Sequence, residues 1–352
     1  MAIIRYNNVG ITAIAGCVPP KVVSNYDLGY MMDQDAIERV VKSTGIVERR
    51  IAEPNVCSSD LCVQAARRLM EDNQIDPESV DLLLFTTLTP DFVSPPTTPI
   101  IQKRLGLPNT TACIDLSFAC SGFIYALGTA FAFASTKGID RVLVLVGETM
   151  SKITSDRDKV NWPLYGDAGT AFVVEKGDFG ESIFELTADG VGQDFVKVPY
   201  GGFRKPLTAE NLEMKEREDG NFRRDTDITM DGMETFNHAV TAIPRQVKAL
   251  MKEAEITVDD IDYLVSHQAN KLMIDFITKK LKIPSEKVPF CLQKYGNTSS
   301  ASIPITIVSE LCGKLDGENR ILFSAIGAGW SFGTAYLTTK NVRVSPVFDY
   351  SE

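Results

Sequence analysis

The sequence has few histidines, few tryptophans and no excess of positive charge. Its 352 residues include two His and two Trp, and 46 acidic residues outnumber 36 Lys and Arg to give a formal charge of −10. This balance argues against a nucleic-acid-binding protein, because a phosphate backbone selects a basic surface. No stretch approaches the roughly 18 apolar residues of a membrane helix, and the first residues lack the charged and apolar segments of a secretory signal.

The cysteines show no pattern typical of disulfides or of a metal site. There are seven, an odd number, and they show no zinc-ligand pattern. We therefore expect reduced thiols in a cytoplasmic protein. The length exceeds the roughly 250 to 300 residues of a single hydrophobic core, so two domains or two halves are expected.

Three pairs of segments in the sequence resemble each other in the same order. IDPESVDLLLFTT from Ile75 resembles ITVDDIDYLVSHQ from Ile256, and DRVLVLVG from Asp140 resembles NRILFSAIG from Asn319. GTAFVVEK and GTAYLTTK close the two series. The repeat predicts two copies of one strand and helix unit. We place them at residues 1–180 and 236–352, with a linker and cap at 181–235.

The predicted strands are continuous apolar runs, as in Leu82-Leu83-Leu84-Phe85, which is typical of strands covered on both faces. The segment SGFIYALGTAFAFAS after Cys120 is apolar on every side, which indicates a helix between two layers. Two sheets around central helices would satisfy both patterns. Residues 201–231 are rich in charge and lack strand alternation, so we predict a surface cap there, which is either a solvated loop or a cover for the substrate tunnel.

Cys120 is the candidate nucleophile. It precedes Ser121-Gly122, where a helix is predicted to begin, and a helix N-terminus lowers a thiol pKa and favours the thiolate. The alternative is a buried structural cysteine, which is common in intracellular proteins.

Of the two histidines, His267 is the candidate for catalysis. It follows the apolar segment Ile261 to Val265, and a polar side chain at the end of a strand commonly faces a cleft. His238 lies within an amphipathic helix predicted from Glu234 to Met251, where an ordinary partly buried histidine is expected.

Asn297 and the glycine turn after Ile326 complete the candidate set. Asn297 occupies nearly the same place in the second copy as Cys120 does in the first, so it is a candidate amide donor to the same cavity. The alternative is a turn or cap residue. Gly327-Ala328-Gly329 is first of all a turn, although its small residues would let a backbone NH approach a substrate carbonyl.

The chain resembles the β-ketoacyl-acyl carrier protein synthase III family of the thiolase superfamily. The motifs that carry the resemblance span nearly the whole chain. They are Thr44-Gly-Ile-Val-Glu-Arg-Arg50, Asp115-Leu-Ser-Phe-Ala-Cys120-Ser-Gly122, Gly166-Asp-Ala-Gly-Thr170, His267-Gln-Ala-Asn270, Tyr295-Gly-Asn297-Thr-Ser and Gly327-Ala-Gly329-Trp-Ser-Phe-Gly333.

The resemblance implies a five-layer α/β/α/β/α thiolase-like fold and an acyltransferase that performs a decarboxylative Claisen condensation. Cys120 would carry the acyl group, and His267 and Asn297 would bind the thioester carbonyl of malonyl-acyl carrier protein. The NH groups of Cys120 and Ala328 would form the oxyanion hole. No metal or redox cofactor would be required, since the substrates carry coenzyme A or phosphopantetheine.

Substrate contacts are implied at Arg39, Ser94, Arg157 and Ile326, two of which depart from the family pattern. Arg39 stands where the family has a tryptophan that stacks on the adenine of coenzyme A. Ser94 stands where a phenylalanine closes the acyl pocket. We therefore expect primers longer or bulkier than acetyl, and either coenzyme A or acyl carrier protein stays open as the donor.

The resemblance also implies partners. We expect a homodimer in which the loop Asp91 to Thr98 of one subunit approaches the acyl pocket of the other. Leu272 replaces the usual arginine for carrier-protein docking, but Lys271, Lys279 and Lys282 share an approximate face. Such a row is either a solvated face or a docking site for the acidic carrier protein.

Several related activities are less consistent with these motifs. A degradative thiolase would need a second cysteine near the final glycine turn, and an elongating ketosynthase would have a histidine in place of Asn297. A chalcone-synthase-like, quinolone-type or resorcinol-type synthase, or an ester-forming acyltransferase, stays open. From another class, a non-catalytic partner of acyl carrier protein is the alternative.

Overall fold

Strands and helices alternate along most of the chain in a computed structural model that describes residues 3–351. The helices are α1 (Gln34–Thr44), α2 (Ser58–Asn73), α3 (Thr98–Leu105), α4 (Gly122–Ala134), α5 (Gly232–Glu253), α6 (Lys271–Leu281), α7 (Leu292–Tyr295) and α8 (Ser302–Glu310). The strands are β1 (Ile3–Val18), β2 (Val22–Ser24), β3 (Glu48–Arg50), β4 (Leu82–Thr86), β5 (Ala112–Leu116), β6 (Arg141–Glu148), β7 (Ala168–Ala188), β8 (Val196–Lys197), β9 (Lys215–Glu216), β10 (Phe222–Arg223), β11 (Thr229–Met230), β12 (Tyr263–Ser266), β13 (Glu318–Gly327), β14 (Ser331–Lys340), β15 (Arg343–Val344) and β16 (Phe348–Asp349).

The two halves repeat one strand arrangement, as the internal sequence repeat predicted. In the first half β4 pairs parallel with β6, and β6 pairs antiparallel with β7. In the second half β12 pairs parallel with β13, and β13 pairs antiparallel with β14. The first half adds β5 beside β4, and the stretch 282–317 of the second half has no strand in the described structure.

Strands β1 and β7 run through both halves and join them. β1 is antiparallel to β7 from Cys17 opposite Gly169 to Ile3 opposite Glu185. β6 pairs with the first part of β7 and β14 with its last part. The strands therefore form one ten-stranded hydrogen-bonded sheet instead of the two separate sheets expected. The proposed boundary between residues 180 and 181 lies inside β7, at Gly180, whose φ is +76°. The three domain ranges stay predictions.

The strands nevertheless lie in two layers with helices between and outside them. Leu82 and Leu84 of β4 face the central layer, whereas Leu83 and Phe85 face the outside, because successive strand side chains point to opposite faces. Helices α4 and α8 pack in the centre. Helix α2 covers the outer face of the first half, and α5 and α6 cover that of the second. This arrangement matches the predicted five layers.

The cap lies between β7 and α5 and is built from short elements. β8 pairs with β11, and β9 pairs with β10. Most residues from 201 to 220 are exposed, as expected for a surface cap. Arg223 pairs with the buried Asp158 at 3.3 Å, and the Arg157 guanidinium lies 4.2 Å from the centre of the Phe222 ring. These contacts fix the cap to the first half.

Within residues 3–351, none of the helices is long and apolar enough to cross a bilayer.

Candidate active site

A cavity of about 800 Å³ lies where the loops after β5 and β12 meet. Its wall includes five of the residues singled out from the sequence: Cys120, His267, Asn297, Ile326 and Ala328. The first comes from one half of the chain and the other four from the second half. The internal repeat contributes to this, because the segments that precede α4 and α8, which carry Cys120 and Asn297 at nearly equivalent places, both reach the cavity.

Cys120 lies immediately before α4, as predicted. Its Sγ is 3.8 Å from Ser299 Oγ. Burial of the thiol raises its pKa to about 12, and the negative charge of Glu148 acts in the same direction. This differs from the expectation that the helix N-terminus would lower the pKa. The protein packed around the sulfur outweighs the helix N-terminus, although the side chain is only partly buried on the cavity wall.

Two glycines allow the nucleophile loop to pack closely. A Cβ on Gly122 would lie 2.6 Å from Thr86 Cγ2, and one on Gly327 would lie 2.9 Å from the Ser121 backbone nitrogen. Both distances are too short for carbon, so these positions require glycine. The close approach at Gly327 holds the turn with Ala328 against the Cys120 loop.

His267 is neutral and held by a hydroxyl group. Burial lowers its pKa to about 3. Its Nδ1 lies 2.7 Å from Ser302 Oγ, which also accepts a hydrogen bond from the Gln268 N–H at 3.4 Å. In the tautomer in which the Ser302 hydroxyl donates to Nδ1, the neutral ring carries its own proton on Nε2. His267 can therefore donate one N–H to a ligand without carrying a charge.

The side chain of Asn297 is oriented by its neighbour. Its Oδ1 accepts a hydrogen bond from the backbone N–H of Ser299 at 2.9 Å, and the backbone N–H of Asn297 donates to the Leu164 carbonyl at 2.8 Å. With the amide oxygen occupied, the amide NH₂ is the free part of the side chain. Asn297 and His267 thus supply two neutral donors to the same cavity.

Comparison with known proteins agrees with this geometry. Residues 114–190 match the family model described as 3-Oxoacyl-[acyl-carrier-protein (ACP)] synthase III, and residues 251–339 match the model of its C-terminal part. A Beta-ketoacyl-[acyl-carrier-protein] synthase III from Desulfitobacterium hafniense is 36% identical over 93% of this chain and 97% of its own length. One from Caldanaerobacter subterraneus is 37% identical, with the same coverage. This chain belongs to the 3-oxoacyl-[acyl-carrier-protein] synthase III family.

A solved structure supports the same assignment. The crystal structure of a 3-oxoacyl-(acyl-carrier protein) synthase from Burkholderia xenovorans superposes with a TM-score of 0.93 and 33% identity over 99% of both chains. The family, the fold class and the enzyme class, an acyltransferase, are thus confirmed. Neither family model includes residues 191–250, which contain the cap.

Several residues predicted to contact substrate in this synthase III chain lie away from its cavity wall. Arg39 is exposed on α1, and Arg157 is exposed against the cap. Ser94 is exposed in the loop before α3 and does not line the cavity of its own chain. Their roles stay predictions, and that of Ser94 requires a second subunit.

The lysines proposed for docking are exposed and belong to α6 or its C-terminal cap. Lys271 begins the helix directly after Asn270, which lines the cavity, and it forms an ion pair with Asp275. Lys279 and Lys282 lie near the other end. The ion pair reduces the positive charge at the end nearer the cavity.

Sequence reasoning missed two parts of the site. The first is the apolar wall supplied by the cap segment, which contributes Val196, Val198, Leu207, Ile228 and Met230. The cap is charged overall, so its apolar residues gave no clear pattern. The second is Glu148, a buried acid beside the Cys120 loop. Its position as the last residue of the apolar strand β6 was a signal of function that could have been used.

Proposed function

We propose that this chain transfers an acyl group from a thioester to Cys120 and condenses it with malonyl-acyl carrier protein, releasing carbon dioxide. The observation that carries the proposal is the convergence of Cys120, His267 and Asn297 on one cavity. The family supports the reaction class. The neutral His267 and the oriented Asn297 amide support the assignment of these two residues to the condensation half.

In the acylation step, the Cys120 sulfur attacks the carbonyl carbon of the primer thioester and the donor thiolate leaves. The backbone N–H groups of Cys120 and Ala328 stabilise the tetrahedral oxyanion. Gly327 supports this arrangement because it allows the turn carrying Ala328 to pack against the Cys120 loop.

In the condensation step, malonyl thioester loses carbon dioxide and its bonding electrons become an enolate. His267 and Asn297 donate hydrogen bonds to the enolate oxygen, where negative charge develops, so they stabilise the transition state more than the substrate. The enolate carbon then attacks the acyl carbonyl on Cys120, and the sulfur leaves as thiolate. Neutral donors suit this step because they stabilise the enolate oxygen without protonating it, so the enolate carbon can still attack.

The primer we propose is longer or bulkier than acetyl. Apolar side chains from the cap and from both halves line the cavity, among them Leu88, Met150, Ile153 and Met230. Apolar lining favours a hydrocarbon chain by about 0.8 kcal/mol for each buried methylene. With Arg39 in place of a stacking tryptophan, acyl carrier protein is the proposed donor.

The proposed partners are acyl carrier protein and a second copy of this chain. The exposed Lys271, Lys279 and Lys282 support docking of an acidic carrier protein along α6, whose first residue follows the cavity-lining Asn270. The loop before α3 carries Phe92 and Val93, which are 58% and 81% exposed. Two exposed apolar side chains at one loop tip support a contact with the partner subunit. All seven cysteines are free in the described structure, which supports a cytoplasmic location.

Intact-mass spectrometry after incubation with an acyl thioester tests the proposal. We expect the wild-type chain to gain the mass of one acyl group, and Cys120→Ala and Cys120→Ser to gain none while remaining folded. Acylation of the Cys120→Ala variant would refute the role of this residue. A wild-type chain that binds acyl carrier protein but is never acylated would instead support the non-catalytic alternative.

A further inference from the structure

Glu148 is a buried carboxyl group beside the cavity that the reaction described above does not use. It is the last residue of β6 and is 0% exposed. In the described part of the chain it forms no ion pair with Lys or Arg. Its oxygens instead accept hydrogen bonds from five neutral donors: the hydroxyls of Thr87, Thr89, Ser299 and Ser300 and the backbone N–H of Leu88.

One of these donors links Glu148 to the candidate nucleophile. Ser299 Oγ lies 3.4 Å from Glu148 Oε1 and 3.8 Å from Cys120 Sγ. The next residue, Ser300, donates to the same Oε1 at 2.8 Å but makes no hydrogen bond to Cys120 in the described structure. Adjacent serines therefore share the carboxylate, and one of them also reaches the thiol.

The backbone holds Ser299 in this bridging position at an energetic cost. Its φ is +50°, a left-handed conformation that disfavours residues with a side chain. The hydrogen bond from its N–H to Asn297 Oδ1 stabilises this turn. Strained residues of this kind concentrate at functional sites, where the surrounding structure imposes them.

Acylation needs an acceptor for the thiol proton. Burial raises the pKa of the Cys120 thiol, so its proton has to be removed as the sulfur attacks. His267 is a poor acceptor because burial lowers its pKa to about 3. Burial raises the pKa of Glu148 to about 7, near the pH at which a general base works best in the cell.

We propose that Glu148 accepts the proton of the Cys120 thiol through the hydroxyl of Ser299 during acylation. As the bond from Cys120 Sγ to the acyl carbon forms, the thiol proton passes to Ser299 Oγ and the hydroxyl proton of Ser299 passes to Glu148 Oε1. The bond between the acyl carbon and the donor sulfur then breaks, and the donor leaves as a thiolate that takes up a proton from water. Glu148 later releases its proton to water.

Glu148 touches no reacting atom and acts through Ser299. The inference rests on the proposed acylation of Cys120. The titratable groups whose charges are coupled to that of Glu148 are the thiols of Cys62 on α2 and Cys120 before α4. The groups that face its oxygens from residues 87–89 and 299–300 are hydroxyls and a backbone N–H.

The test is the rate of Cys120 acylation by octanoyl-N-acetylcysteamine, followed by intact mass from pH 5.5 to pH 9. In the wild type we expect the rate to rise with pH through the ionisation of Glu148. Glu148→Gln should lower the rate at pH 8 by about 100-fold, a typical contribution of a general base, and should remove this ionisation. Ser299→Ala should do the same while keeping the carboxyl group. The double variant should be no slower than either single one, because both act in one path.

Ser300→Ala is the matched control. It removes a hydroxyl from the same carboxylate oxygen without breaking the path, so the ionisation should persist and move to higher pH. If Glu148→Gln and Ser299→Ala acylate at the wild-type rate, the inference is wrong. It is also wrong if Glu148→Gln reacts faster, since Glu148 would then merely oppose thiolate formation by its charge. If Glu148→Gln fails to fold, as judged by circular dichroism, Ser299→Ala decides the question. A wild-type chain that gains no acyl mass overturns the proposed function as well.

Discussion

The burial of His267 links its chemistry to the stability of the protein. Its pKa is about 3 in the folded chain, whereas an unfolded chain holds a histidine near 6.5. Below about pH 6.5 the unfolded state binds a proton that the folded state does not. The free energy of unfolding therefore decreases as the pH is lowered. When the pH is lowered from 7.5 to 5, we expect His267 to decrease the free energy of unfolding by about 2 kcal/mol.

Urea unfolding of the wild type and of His267→Gln at both pH values measures this contribution. Other groups titrate in both proteins, so their effects cancel in the difference. The stability gap between the two proteins should shift in favour of the variant at pH 5. An unchanged gap would mean that the folded protein accommodates the charged imidazole.

Asn297→Asp separates the two halves of the proposed reaction. The carboxylate can still accept the hydrogen bond from the Ser299 N–H but can no longer donate to an enolate oxygen. We expect acylation of Cys120 to persist, and malonyl decarboxylation to fall by about 100- to 1,000-fold, as for the loss of one oxyanion donor. Intact mass and carbon dioxide release measure the two steps. Complete loss of acylation would contradict the assignment.

At the scale of the element, the start of α4 depends on the absence of a side chain at Gly122. A methyl group there would lie 2.6 Å from Thr86 Cγ2 and 3.0 Å from Ser300 Cβ. We expect Gly122→Ala to lower the free energy of unfolding by about 1 to 3 kcal/mol through overpacking and to slow acylation of Cys120.

Gly128→Ala, in the same helix, is the control for Gly122→Ala. A Cβ added at Gly128 would lie nearest to Leu186 Cδ1, at 3.3 Å, which is the end of a flexible side chain. The helix propensity of alanine, about 1 kcal/mol better than that of glycine, offsets this contact. Thermal unfolding compares the stability of the two variants. Equal decreases in stability would show that the close packing at Gly122 does not account for the effect.

The elements with the strongest patterns could be predicted from the sequence. Helix α4 was expected from its uniform apolarity and α5 from its amphipathic pattern, and both form nearly as predicted. The apolar run of β6 likewise becomes a buried strand. The passage of β1 and β7 through both halves could not be predicted, because pairing between distant strands leaves no local pattern.

The candidate site could be predicted where a reactive or polar residue lies directly beside an apolar segment of the sequence. Cys120, His267 and Asn297 are polar residues beside apolar segments, and all three line the cavity. The raised pKa of Cys120 was missed, because it depends on how the folded chain packs around the sulfur. The shared carboxylate of Glu148 was missed for a similar reason: its donors come from two segments, residues 87–89 and 299–300, that are distant from it in the sequence.

At the scale of the whole molecule, we propose that the primer preference depends on two subunits. We predict that octanoyl thioesters acylate Cys120 faster than acetyl thioesters, and that Ser94→Phe reverses the order by narrowing the acyl pocket. Competition between the two thioesters, read by intact mass, tests both expectations. Ser94→Ala is the control, since it removes the hydroxyl without adding bulk. Preference for acetyl in the wild type would mean that another residue closes the pocket.

The dimer itself is tested separately by light scattering. We expect twice the mass of the chain, and we expect replacement of Phe92 and Val93 by serine to weaken association, because these exposed apolar side chains would lose their partner surface. A fully active monomer would contradict the proposed dimer.

The arrangement of β1 has a consequence for the order of events during synthesis. β1 leaves the ribosome before its partners, which are β7 and, much later in the chain, β15 and β16. At about 5 to 20 residues per second, the first strand waits roughly 10 s or more for β7 and longer for the others. The largely apolar residues from Ile11 to Val18 have no strand to pair with during that interval. The nascent chain should therefore depend on chaperones more than its final stability would suggest, and slowing translation after β7 should improve the yield of folded protein.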